Sequence, residues 1–89
     1  MLKITRREEP GNKDVLEIEG TLGGAWVHEV RAACDKLLEE RKRVALDLSG
    51  VVFVDREGTE LLESLRADRR VVIEAASAFV AELLRGGAA

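Results

Sequence analysis

The sequence is poor in the residues that most often cross-link, ligate or stiffen a chain. A single cysteine, Cys34, excludes an internal disulfide and fits a reducing compartment. The one histidine, His28, sits beside Trp26 with no second histidine or cysteine near it, which argues against a metal site. With no tyrosine, one tryptophan and two phenylalanines, the core is expected to be almost wholly aliphatic. No apolar run approaches a membrane span, and the first residues lack the apolar stretch of a signal peptide, so a cytoplasmic chain with no membrane insertion is expected. A net charge of −3 argues against a nucleic-acid binder. The basic clusters Arg41-Lys42-Arg43 and Arg69-Arg70 each precede an apolar strand and have acidic neighbours, so they read as solvated turns.

What remains is an ordinary globular composition, 46% apolar and 35% charged over 89 residues, which fits one domain spanning residues 1–89. Leu2 and Ile4 alternate with Lys3 and Thr5, and Leu16 and Ile18 alternate with Glu17 and Glu19. Two period-2 runs around Pro10-Gly11-Asn12 predict an antiparallel hairpin. After Gly23-Gly24, the residues Trp26, Val27, Val30, Ala33, Cys34, Leu37 and Leu38 form one stripe of an amphipathic helix. Arg41-Lys42-Arg43 at its end suits the negative pole of the helix dipole.

The chain is organised around residues 43–58. Val44, Leu46 and Leu48 make a short strand, with Ala45 small enough to lie under a helix. Ser49-Gly50 reads as a polar break, and Val51 to Val54 as the approach to a second helix. Strand, helix, strand is a crossover unit and predicts parallel pairing. Asp55 is placed to cap the second helix, with Glu57 in its first turn and Leu61, Leu62 and Leu65 on its apolar face, and the helix ends near Asp68. Val71-Val72-Ile73 reads as a central parallel strand, and Ser77 as the cap of a last helix stopped by Gly86-Gly87. The expected fold is α/β, in the order β-β-α-β-α-β-α.

Three segments together resemble a known family: Leu16-Glu17-Ile18-Glu19-Gly20-Thr21-Leu22, Val44-Ala45-Leu46-Asp47-Leu48-Ser49-Gly50-Val51, and Phe53-Val54-Asp55-Arg56-Glu57-Gly58. At this spacing they are similar to the STAS domain, the sulphate-transporter and anti-sigma-factor-antagonist family. The resemblance implies a mixed sheet, with an N-terminal antiparallel hairpin and then parallel strands, packed with helices. It also implies protein–protein regulation in a bacterial cytoplasm, with no cofactor and no chemistry of its own. In the antagonist branch a serine just before the glycine is phosphorylated by the partner kinase. Here that position is Glu57, preceded by Arg56, so phosphorylation there is chemically excluded. Glu57 carries less charge than a phosphoserine and is only a partial mimic. A further acidic position of the family falls on Gly23.

Two readings of the corner stay open. Asp55 and Glu57 serve only as cap and first-turn charge, or Asp55, Arg56, Glu57, Gly58 and Thr59 form a partner-binding surface. Arg56 is expected to neutralise Glu57 or a neighbouring carboxylate. The partner implied is an anti-sigma factor or kinase; the alternative is the ATPase subunit of a transport complex, and a homodimer is compatible with either. A nucleotide or small-ligand sensor using the Gly20–Gly24 loop has the least support, because that loop lacks the Lys-Ser/Thr of a phosphate-binding loop. No nucleophile, base and oxyanion donor can be assembled, so an enzyme is not expected. Thr59 and Ser64 are the hydroxyls near the corner that remain open to modification. The sheet is expected to keep one unpaired edge, free or covered by a partner.

Overall fold

A computed structural model describes residues 1–11, 13–40 and 43–86. The elements are β1 (Leu2–Glu9), β2 (Lys13–Leu22), α1 (Trp26–Glu40), β3 (Val44–Val54), α2 (Arg56–Ala67), β4 (Val71–Ala76) and α3 (Ala78–Gly86). The strands form one sheet in the order β1-β2-β3-β4. β1 and β2 pair antiparallel, while β2–β3 and β3–β4 are parallel, as the crossover pattern predicts.

The apolar stripes fold as their periods require. Val30, Cys34 and Leu37 of α1 and Leu61, Leu62 and Leu65 of α2 meet Leu16, Ile18, Leu22, Leu46 and Leu48 of the sheet in one aliphatic core. Ser77 caps α3 through its hydroxyl, which accepts from the Val80 amide at 3.1 Å. The dipole role read for Arg41 and Lys42, the turn role of Asn12 and the helix stop at Gly87 lie outside the described residues.

The central stretch departs from the expected strand, break and second run. It is a single strand of 11 residues. Against β2, its register slips between Asp47 and Gly50 and again between Val51 and Phe53, each time by one extra residue on β3. These are β-bulges, which shift the side-chain alternation by one. They explain why Val44, Leu46, Leu48, Val51 and Val54 all face the core although the last two steps are three residues long. The polar Ser49 serves the first bulge: its amide and hydroxyl donate to the Asp47 carboxylate at 3.0 and 2.6 Å. Val52 is the extra residue of the second bulge and is 68% exposed.

Two further expectations need correction. β4 is an edge strand, not a central one, and Val72 in the middle of its apolar run is exposed. Ala45 lies on the sheet face opposite α1 and α2, because strand alternation puts Val44 and Leu46 on the helix side. Ala45 and its β2 neighbour Val15 are buried nonetheless. Arg7, paired opposite Val15, bonds Glu17 at 2.9 Å and Glu9 at 3.0 Å, and approaches Glu74 at 3.7 Å. Lys13 also reaches Glu74 and Glu9. These long side chains close over the two small apolar residues, their stems packing while their charges face water.

β4 pairs with β3 only from Val44 to Leu48. Beyond that point α3 packs against β3, and the Ser77 amide donates to the Leu48 carbonyl at 3.1 Å where strand gives way to helix.

Candidate functional site

The site is built by Asp55, which sits between β3 and α2 in an extended conformation (φ −84, ψ −173). One carboxylate oxygen accepts from the Gly58 amide at 2.8 Å, the capping bond expected from the sequence. Its other oxygen accepts from the Gly24 amide at 3.0 Å, in the loop between β2 and α1. The Asp55 amide donates to the Leu22 carbonyl at 3.1 Å, and its own carbonyl accepts from the Thr59 amide and hydroxyl at 2.9 and 2.8 Å. One residue therefore locks the start of α2 to the end of β2 and the start of the α1 loop.

Two glycines make this possible. A Cβ on Gly58 would stand 2.5 Å from the Leu22 carbonyl oxygen, so only glycine lets the first turn of α2 approach β2 so closely. A Cβ on Gly23 would collide with the Asp55 carboxylate. Position 23 is thus closed to any side chain while Asp55 bridges to Gly24. The Gly23 and Gly24 carbonyls accept from the Trp26 and Val27 amides at 3.1 and 3.2 Å, so both are engaged in the turn that opens α1.

The five candidate binding residues divide by exposure. Gly58 is buried, and Asp55 and Thr59 are half-buried within their own hydrogen bonds. Arg56 and Glu57 project outward. Arg56 neutralises a neighbouring carboxylate instead of Glu57: its Nε lies 3.8 Å from Glu60, one turn along, with the guanidinium side chain 92% exposed. An exposed pair of this kind holds little. Glu57 makes no ion pair among the described residues and turns toward a groove between α1 and α2, lined by Val27, His28, Arg31, Glu57, Glu60 and Leu61. Arg31 crosses this groove and donates to the Ser64 hydroxyl at 3.0 Å.

Sequence reasoning missed the groove. Each helix surface is legible separately, but their meeting depends on how α1 and α2 pack. The structure does not bring Cys34 into the site: it is fully buried, and desolvation, with Asp35 adding to it, pushes its thiol up to about 11. At neutral pH it is a protonated core residue. No group of three or more His, Cys, Asp or Glu side chains among the described residues is placed to hold a metal ion. The corner and groove offer carboxylates, an imidazole and a guanidinium on a rigid frame, a set suited to recognising charge.

A family model described as Mlab, STAS domain, matches residues 5–87. The chain belongs to this family. Its STAS fold is shared with a crystal structure of an antisigma-factor antagonist, STAS domain, from Rhodobacter sphaeroides. The two superpose with a TM-score of 0.63 over 84% of this chain and 85% of the other, at 23% identity. Comparison with curated proteins gives no match. Among the described residues of this STAS domain, no helix is long and apolar enough to cross a membrane.

Proposed function

We propose that this STAS domain is a regulatory binding module that engages a protein partner through Asp55, Arg56, Glu57, Gly58, Thr59 and the exposed face of α2. The observation that carries this reading is the double anchoring of Asp55 to Gly58 and Gly24, which holds Arg56 and Glu57 outward at a fixed place. A surface whose backbone is set before contact loses little entropy on binding. The module resembles an anti-sigma-factor antagonist but lacks its switch, because Glu57 has no hydroxyl at the phosphorylated position. It works as a binder without catalysis, in the cytoplasm, and residues 1–89 act as one domain.

A pull-down against a kinase-type anti-sigma factor tests the reading. Retention by the native chain and loss with Glu57→Arg supports it. Equal retention by both sinks the corner as the contact.

A second reading, an accessory subunit pairing with the ATPase of a transport complex, draws on the same substitution. A corner that carries a permanent charge where a reversible one is needed suits a constant interface better than a switched one. Co-purification with a membrane-associated ATPase, dependent on Glu57, separates it from the first.

A further inference from the structure

Helical spacing decides what α1 and α2 show each other. Glu57, Leu61 and Ser64 recur at four- and three-residue steps on one face of α2, with Glu60 beside Leu61. Val27 and Arg31 share a face of α1 in the same way, with His28 beside them. Where the two faces meet, Val27, His28, Arg31, Glu57, Glu60 and Leu61 line a groove of about 520 Å³. Clefts that take ligands run from about 300 to 1,000 Å³, so this one has room for a whole side chain. Leu61 is buried and Val27 half-buried, which makes the floor apolar, while His28, Glu57 and Glu60 are exposed at its rim.

The charges along the rim are spoken for, with one exception. Arg31 donates to the Ser64 hydroxyl at 3.0 Å, and Ser64 lies about 10 Å along α2 from Glu57. Arg56 lies 3.8 Å from Glu60. Glu57 lines the same groove and makes no ion pair among the described residues. A free carboxylate above an apolar floor suits a side chain with an apolar stem and a cationic head. An anion would meet two carboxylates there. A purely apolar side chain would strip water from Glu57 without replacing it, which is costly. No group of three His, Cys, Asp or Glu side chains among the described residues is placed to hold a metal ion. A partner surface that delivers the cation also shields the contact from water, which a free small cation does not.

We propose that the α1–α2 groove is a socket for one arginine or lysine side chain of the protein partner. Its stem lies on Val27 and Leu61 and its charge meets Glu57, with Glu60 a weaker neighbour. The proposal rests on the binding role given to the corner above, and it states the chemistry that the partner must present.

The test is selection of peptides from a displayed library on the full chain, followed by affinity measurement and by NMR of the methyl and imidazole signals. Enriched peptides are expected to share one Arg or Lys, and replacing it by citrulline or norleucine should weaken binding at least about fivefold. Glu57→Gln should cost as much, and Glu60→Gln less, because Glu60 is shared with Arg56. Since Glu57 is exposed, its variant should keep the native urea midpoint, which separates lost contact from lost fold. Selection on Glu57→Lys should favour Asp or Glu at the same peptide position. Bound peptide should shift the Val27 and Leu61 methyl signals and the His28 ring. Binding that depends on Glu57 but leaves Val27 and Leu61 unshifted overturns the socket and leaves the corner standing. Shifts at Val27 and Leu61 that do not depend on Glu57 overturn the charge contact, and this proposal with it. Recovery of no basic peptide, N-acetylarginine amide binding as tightly as the peptides, or self-association lost with Arg56→Gln also overturns it.

Discussion

Replacing Asp55 by alanine removes both bonds that this carboxylate accepts, at 2.8 Å from Gly58 and at 3.0 Å from Gly24. Losing a helix cap of this kind costs about 0.5–2 kcal/mol. The bond to Gly24 is solvent-exposed, and its loss adds about 0.5–1 kcal/mol. Together they remove about 1–3 kcal/mol, a large share of the roughly 4–13 kcal/mol expected for a chain of this length. With a urea slope near about 1.5 kcal/mol per M, the midpoint should fall by about 0.7–2 M with the slope unchanged. Asp55→Asn should lie between the two, because an amide oxygen can keep one bond while its NH2 group faces a donor. A midpoint for Asp55→Ala indistinguishable from the native one, or equal losses for alanine and asparagine, would refute the clamp. The collision at Gly23 supplies an independent check. Gly23→Ala alone should destabilise by about 1–3 kcal/mol through overpacking. In the Asp55→Ala background its cost should shrink, since the carboxylate it strikes is gone. Losses that simply add, within about 0.5 kcal/mol, would show that the two positions do not meet.

Other outcomes follow from the same geometry. The Ser49 hydroxyl and amide hold the Asp47 carboxyl below its ordinary 3.8. The Arg70 side chain and amide likewise hold Asp68 below 3.8. Both pKa values are lower folded than unfolded, so their stabilisation is complete above the ordinary value and is lost as pH falls through the lower native ones. The melting temperature should therefore decline from about pH 5 downward, less steeply in Asp47→Asn and Asp68→Asn, and parallel curves for all three chains would contradict this. Cys34, buried and with its thiol pushed up to about 11, should resist a disulfide reagent at pH near 8 until urea is added. Prompt stoichiometric labelling of the native protein would show that the α1 stripe opens readily.

Much of this was legible in the residues because local signals and tertiary packing agree. The alternation in β1 and β2, the α1 stripe and the Asp55 and Ser77 caps are each written within a few neighbouring residues. Ser49-Gly50 looked like a break because a bulge and a turn use the same polar, small residues. Only pairing with β2 tells them apart, and here the Asp47 carboxylate holds Ser49 inside a continuous strand. Val71-Val72-Ile73 looked central because an apolar run records hydrophobicity but not strand order, and β4 has a neighbour on one side only. The sequence does not tell which face Ala45 takes, because its size fits either. Its actual cover is a set of ion pairs from β1, β2 and β4 that no single stretch of sequence displays. At the site, the clamp residue was readable and the α1–α2 groove was not, since a groove belongs to two helices at once.

The antiparallel start of the sheet has a practical consequence. Because β1 runs against β2, Leu2 lies opposite Gly20, and the Met1 carbonyl accepts from the Thr21 amide at 3.0 Å. Thr21 in turn is the β2 neighbour of Phe53. Met1 therefore emerges two strand spacings, roughly 10 Å, from Phe53 and level with it. The far end of α3 lies elsewhere, where the Leu84 carbonyl meets Arg66 in the last turn of α2. A fluorophore joined ahead of Met1 would therefore report on the end of β3 at Phe53. The same label carried beyond α3 would report on the last turn of α2 instead.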